Sequence, residues 1–350
     1  MNEMTTGFSF NLLDEPWLLV VDRAGANRIL GIREALLTAH ELVELSGDSP
    51  LEQVALHRLL LAVLHRIYGP EDYEAWGSLW EEGRFPAGPL NTYLDQWRQR
   101  FDLFDGHQPF YQAADTRVRS KSVISLIQEL ASGNNPTFFD HNTELRGAVL
   151  TPDRAARALV TAQVFSLAGL CDPSQKLSFT DGNCARGVVF LIAGDNLFQT
   201  LLLNMVQYPD EKPLRSVQED RPAWEMDDAF MPDREMPFGY LDYLTWQNRR
   251  ILLQPEASDQ GIVVREMTMG PGLRIDPTIL DPMKHYRKDT KKGFLVRRFS
   301  ESRALWRDSA ALLALPDSEE DFAPLTIRWL RELVHTEHVL DTRHLYRYLA

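Results

Sequence analysis

The apolar positions of this chain follow two periods. From Leu51 to Tyr68 they recur at helical spacing, with Leu56, Leu59, Leu60, Val63 and Ile67 on one face. Ser49 offers a side-chain cap, Pro50 suits the first helical position, and Gly69-Pro70 stops the helix. Around Leu18–Val21 they cluster instead as a short strand, followed by a turn at Asp22–Ala26. The stretch from Ser174 to Asn204 organises what lies around it. It opens as a polar loop carrying Lys176, Phe179, Asn183 and Arg186, then becomes an apolar run from Val188 to Ile192. It breaks at Gly194-Asp195-Asn196 and turns helical at Leu197. A cation, a ring and an amide on a loop mounted on a buried element suit holding a nucleic acid. On spacing alone, the commoner reading of the same residues is an ordinary surface connection between two core elements.

The remaining pattern interleaves helices with short strands, a mixed α+β chain. Ile32–Leu45 and Pro152–Leu170 read as helices, and Val123–Ala131 as a shorter one. Between Glu71 and Phe101 lie Trp76, Trp80 and Trp97, large rings expected in the core, with a break at Phe85–Gly88. Gly133-Asn134-Asn135-Pro136 is a strong loop signal, and Phe138, Phe139, Asp140, His141 and Asn142 follow it. Exposed paired phenylalanines would invite a partner; buried ones would anchor the loop to the core. Pro209–Met236 is rich in Pro, Asp and Glu, with Trp224 as its expected anchor; near 209–237 it is the candidate subdomain break. Gly239–Leu253 reads as a helix or turn feeding a strand, Gly261–Met269 and Gly293–Phe299 as strands, and Leu305–Leu313 and Pro324–Leu333 as helices.

Composition narrows the classes. The 350 residues are 44% hydrophobic and 25% charged, as in soluble globular proteins, with no run of 18 apolar residues and no basic-then-apolar leader. Two cysteines, Cys171 and Cys184, form neither a disulfide framework nor a metal pattern, so a cytoplasmic location is expected, with no membrane partner. The net charge of −13 argues against coating nucleic acid with the whole surface. It leaves room for a local basic site. Lys284–Arg303 carries eight cations, among them Lys284, Arg287, Lys288, Lys291, Lys292, Arg297 and Arg298, interleaved with Tyr286, Phe294 and Phe299. Two readings stand: phosphate contact with stacking, or a solvated hairpin turning at Lys291-Lys292-Gly293 and returning through Phe294-Leu295-Val296. Catalytic signals are weak. Phosphate loops, nucleophile elbows and zinc-helix motifs are missing, and His335, His338, His344 and Asp341 fit no metal spacing. Neither metal nor cofactor is expected.

Five segments in order resemble one family, the large (CasA) subunit of the type I-E CRISPR surveillance complex, Cascade. They are Phe10-Asn11-Leu12-Leu13-Asp14-Glu15-Pro16-Trp17, Ser46-Gly47-Asp48-Ser49-Pro50-Leu51-Glu52, Pro136-Thr137-Phe138-Phe139-Asp140-His141, Asp242-Tyr243-Leu244-Thr245-Trp246-Gln247-Asn248-Arg249-Arg250 and Leu305-Trp306-Arg307-Asp308. The resemblance runs from about residue 8 to the end. It implies one large mixed α+β domain of helices with short antiparallel sheets over residues 1–350, without the family's C-terminal four-helix bundle.

It also implies a non-catalytic role. Family members read the protospacer-adjacent motif (PAM) of double-stranded target DNA from the minor groove and help open the duplex into an R-loop. The partners implied are a crRNA and the backbone, small and crRNA-end-binding subunits. The nuclease would be a helicase-nuclease, or a nuclease domain on another subunit. The family's PAM loop falls at Gln175, Lys176, Leu177, Ser178 and Phe179, where its glycines are absent, so PAM preference does not carry over. Asn183 and Arg186 would support that loop, and Arg274 is the nearest basic residue to a groove-reaching lysine of the family. The segment from Phe138, through Phe139, His141 and Asn142, corresponds to the loop that docks near the crRNA 5′ handle. The family's Gly/Gln wedge would follow Ala350. Two alternatives remain: a structural subunit that locks the crRNA handle without PAM reading, and an unrelated metal-dependent hydrolase using the C-terminal histidines.

Overall fold

Helix α2 (Pro50–Tyr68) is the axis of the molecule. Its Ser49 cap accepts from the Glu52 N–H at 3.3 Å, and Val54 through His65 are buried without interruption. A helix apolar on one face but buried all round must be enclosed by other elements. Helices α4 (Ala87–Gln96), α5 (Pro152–Phe165), α6 (Leu197–Leu203) and α7 (Tyr240–Leu244) do so. The others are α1 (Ile32–Leu37), α3 (Tyr73–Glu82) and α8 (Leu325–His335). The computed structural model describes residues 7–128, 149–172, 176–207, 217–259, 261–291, 293–298, 321–339 and 346–349.

The strands form small antiparallel sheets. β1 (Leu18–Asp22) lies between β2 (Asn27–Leu30) and β3 (Leu42–Leu45). β9 (Gly261–Pro271) lies between β4 (Ser120–Ser122) and the long β8 (Arg249–Ser258). β5 (Gly169–Asp172) pairs with β6 (Leu177–Phe179), and β7 (Val189–Ile192) with β13 (Tyr346–Leu349). β10 (Tyr286–Asp289) sits between β11 (Gly293–Val296) and β12 (Asp321–Phe322). Helices with short antiparallel sheets were expected, and this is the observed class.

Three expected helices change. Ile32–Leu45 resolves into α1, a 3-10 turn at Ala39–Glu41 and β3. The Thr38 hydroxyl donates back to the Glu34 carbonyl at 2.8 Å, and Leu42–Leu45 is taken by the open edge of β1, with Val20 opposite Leu45. Pro152–Leu170 ends at Phe165 because the chain leaves for β5. The groups freed there are captured: the Gly182 N–H donates to the Ser166 carbonyl and the Ala168 N–H to Asp181, each at 2.7 Å. At 123 the expected helix is a 3-10 turn, Val123–Leu126; Leu305–Leu313 lies outside the described residues. Trp76 is fully buried, stacked on Trp80 and edge-on to Trp329; Trp80 and Trp97 are half-buried and pack against the core from its edge. Trp224 is buried too, tilted against Phe101 at 5.1 Å.

Candidate nucleic-acid interface

The β5–β6 hairpin carries the candidate loop. Its register sets Gly169 opposite Phe179, Leu170 opposite Ser178 and Asp172 opposite Leu177. Side chains alternate across a strand, and the hairpin sorts them accordingly. Phe179 is half-buried against the main core, whereas Ser178 is exposed and Leu170 is 73% exposed. The Arg249 guanidinium lies 4.3 Å and the Lys121 ammonium 5.6 Å from the centre of the Phe179 ring. Exposed Lys176 takes left-handed backbone, φ 56°, where the chain enters β6.

Arg249 anchors this hairpin from inside. It is 1% exposed, and it donates to the Leu167 and Thr180 carbonyls at 2.9 Å each, just before β5 and just after β6. One guanidinium thus ties both feet of the hairpin, the kind of forked donation arginine's planar head allows. Burial draws its pKa down to about 10, which leaves it charged at neutral pH.

The chain then runs through 180–187 into β7, over a buried polar cluster. Arg58 and Asp281, each 1% exposed, pair at 3.0 Å. The Tyr243 hydroxyl donates to Asp281 at 2.6 Å and the Met283 N–H at 2.8 Å. The Cys184 thiol lies 3.5 Å from the same carboxylate. Burial pushes the Asp281 carboxyl up, but Arg58 and then Lys284 more than offset it, holding it below its usual range. Burial pushes the Cys184 thiol up to about 11, so it stays protonated. Lys284 is 4% exposed and donates to the Asn183 carbonyl at 2.6 Å. The cluster therefore fastens the 180–187 segment to the root of the β10–β11 hairpin. At Gly187, φ 83°, a Cβ would strike Val296, which keeps the two segments in close approach.

The CRISPR-associated protein Cse1 family matches residues 11–345. The chain belongs to the Cse1 family. The CasA/Cse1 protein of Thermus thermophilus is 43% identical over 316 residues, which cover 87% of this chain and 60% of that protein. The chain thus spans about three fifths of that relative's length. The Cse1 structure from Acidimicrobium ferrooxidans superposes with a TM-score of 0.80 at 30% identity, over 94% of this chain and 65% of that one. A chain of a CRISPR RNA-guided surveillance complex, 23% identical, shares the fold with a TM-score of 0.77 over 91% of this chain and 68% of its own.

Within this Cse1 chain the expected residues fall into three groups. Lys176, Ser178, Arg274, Arg287, Lys288, Lys291 and Arg298 are exposed, and Arg297 is half-buried. The expected turn and returning strand at Gly293–Val296 form as β11. A second group has structural duties. Phe179 is the floor of the hairpin rather than a free wedge, because its ring is held by core contacts and two cations. Lys284 is removed from the exposed basic segment by burial. Asn183 is half-buried and gives its carbonyl to Lys284, and the Arg186 charge is met by Asp181 at 2.9 Å. Leu177 is half-buried. The third group, Gln175, Phe138, Phe139, His141, Asn142 and Lys292, lies outside the described residues, as do His344 and Asp341. Among the described residues, none form a group of three or more His, Cys, Asp or Glu able to hold a metal, and no helix is long and apolar enough to cross a membrane.

Sequence reading missed Arg249, Lys121 and Leu170. Arg249 stood only inside a motif, with no sign that it would be buried. Leu170 was hidden because the helical pattern starting at Pro152 can be continued through it.

Proposed function

We propose that this chain is a non-catalytic subunit of a crRNA-guided, cytoplasmic DNA-surveillance complex. Its β5–β6 hairpin approaches the PAM of double-stranded DNA from the minor groove and aids R-loop formation. Family membership supports the setting, and the shared fold with a surveillance-complex chain agrees with it. One observation carries the hairpin reading: Lys176 and Ser178 are exposed on a hairpin whose two feet are tied by a single buried arginine. A cation and a hydroxyl held on a fixed support suit the minor groove, whose pattern separates A·T from G·C through one amino group. Its partners are a crRNA, target duplex, the other subunits of the complex and a nuclease acting with it. Arg274 and the half-buried Asn183 and Leu177 flank or support the contact.

The test is a PAM-library binding assay on the assembled complex. Lys176→Ala weakens all targets by a similar factor, because a phosphate contact carries no sequence information. Ser178→Ala reorders PAM preference, a groove contact being worth about 1–3 kcal/mol of discrimination. An unchanged ranking with Ser178→Ala would return the hairpin to an ordinary surface connection. We further propose that Phe138 and Phe139, with His141 and Asn142, dock the chain near the crRNA handle. Changing both phenylalanines to Ala then releases it from the complex with an unaltered melting temperature, interface aromatics commonly costing about 2 kcal/mol or more each. Early melting of the double variant would assign the pair to the core.

The exposed cations Arg287, Lys288 and Lys291 favour a second reading, in which the chain grips an RNA backbone without reading DNA. Alanine at all three would then weaken crRNA retention and leave PAM ranking untouched.

A further inference from the structure

Lys284 is a buried cation that makes no ion pair among the described residues. Three arginines with buried side chains do face carboxylates: Arg58 meets Asp281 at 3.0 Å, Arg157 meets Glu52 at 3.0 Å and Arg234 meets Asp242 at 2.6 Å. The Lys284 ammonium instead donates to a single carbonyl, that of Asn183, at 2.6 Å. Taking an ammonium out of water is costly, and one carbonyl returns only part of that cost. A methionine of similar length would fill the same space without it. What the lysine adds is a directional bond between segments 101 positions apart.

The two ends of that bond lie at the roots of two hairpins. Asn183 belongs to the turn that leaves β6. In that turn the Gly182 N–H donates to the Ser166 carbonyl at 2.7 Å and the Cys184 N–H to the Val164 carbonyl at 2.9 Å, so it moves with the end of α5 and the start of β5. Lys284 stands two residues before β10, its backbone bridged to Val189 of β7. Further along, the Phe190 N–H donates to the Met283 carbonyl at 2.7 Å and the Arg297 N–H to the His285 carbonyl at 2.8 Å. Those backbone contacts hold β7 against β10–β11 whatever side chain stands at 284. The bond that reaches back toward β5–β6 is the one from the Lys284 side chain. The Cys184 thiol beside it, 3.5 Å from Asp281, is a weak donor.

We propose that Lys284 is a positioning residue that couples the two cation-bearing hairpins. It holds the exit of β5–β6, with exposed Lys176 and Ser178, in fixed register with β10–β11, which carries exposed Arg287, Lys288 and Lys291. Being buried, it touches no nucleic acid and acts through the Asn183 carbonyl. A shift of either hairpin is passed to the other through this bond, and such coupling is reciprocal. Its consequence for PAM preference rests on the reading that β5–β6 meets the PAM; the mechanical link does not.

The link is tested on the full chain by pulsed electron paramagnetic resonance between spin labels at Leu170→Cys and Lys288→Cys, in a Cys171→Ser background. Both label positions are exposed, and buried Cys184 keeps its proton and stays unlabelled. With Lys284 present the distance distribution is narrow. Lys284→Met keeps the length, removes the donor and broadens the distribution, while hydrogen exchange in α2 is unchanged. In the assembled complex with an unlabelled chain, the same substitution lowers the affinity ratio of PAM-bearing to PAM-less duplex about fivefold, the low end of ordinary coupling, with assembly unaffected. An equally narrow distribution for Lys284→Met would overturn the coupling. So would faster exchange throughout α2, which would make the lysine a general core residue. A broadened distribution with the PAM ratio intact would overturn the positioning role. If the wild-type complex itself shows no PAM preference, the hairpin reading fails, and the label distances still decide whether Lys284 links the hairpins.

Discussion

At the scale of single residues, burial decides what a polar group can do. His65 lies inside α2, 3% exposed, its ring edge-on to Tyr240 at 4.9 Å. Burial lowers its pKa to about 3 from an ordinary 6.5. Between those values the unfolded chain takes a proton that the folded chain refuses. Stability is therefore complete above pH 6.5 and is lost as pH falls toward 3, with a slope approaching about 1.4 kcal/mol per pH unit. His65→Phe keeps a ring against Tyr240 and removes this contribution. Urea unfolding at pH 7, 5.5 and 4.5 should show wild type losing more stability than the variant; parallel losses would mean that His65 is not the group responsible. Lys284 is the opposite lesson. It reads as the start of a basic run, yet its ammonium is consumed by the Asn183 carbonyl.

At the scale of elements, the hairpin owes its rigidity to what lies beneath it. A two-stranded ribbon is marginal by itself, and β5–β6 is supported by β9, by the Phe179 ring and by the forked donation of Arg249. Arg249→Met retains the bulk and removes the donors. Hydrogen exchange at Gly169–Asp172 and Leu177–Phe179 should then quicken about tenfold or more, a lost charged hydrogen bond being worth about 1.5–3 kcal/mol, while exchange in α2 changes less. Uniform acceleration across hairpin and α2 would show that Arg249 serves the whole core and not the hairpin. The strand-turn-strand pattern at 286–296 was readable because its turn residues and its returning apolar strand are contiguous. The end of α5 was not, since nothing local distinguishes Leu167–Leu170 from a further helical turn. The strand exists because residues 177–179, beyond a break in the pattern, come back to pair with it.

At the scale of the whole molecule, net charge and local charge point in different directions. The −13 total repels DNA at long range, whereas the hairpin and β10–β11 present exposed cations. The isolated chain should accordingly bind duplex with micromolar or weaker affinity that falls as salt rises, as non-specific binding does. Tight, salt-insensitive binding in a titration of the chain alone would contradict this. Affinity and PAM choice would then arise only when a guide RNA and neighbouring subunits add their own contacts.

What the sequence determined by itself was local. α2 with its Ser49 cap, β1 and its turn, the helix or turn feeding a strand within 239–253 and the burial of Trp76 follow from periodicity, capping and side-chain size, which act over a few residues. The family could also be read from five ordered segments, and the family match over residues 11–345 agrees. What only the tertiary structure decided was orientation and charge balance. The same polar loop residues divide into exposed Lys176 and Ser178, a pinned Phe179, a paired Arg186 and an Asn183 tied to Lys284. Apart from Arg186, whose partner Asp181 lies five positions away, that division depends on partners 69 to 101 positions away: Arg249 under the hairpin, and Asp281 and Lys284 beneath the loop. Pairing energies at such separation are set by which groups the fold brings together, and no local pattern in the chain encodes them.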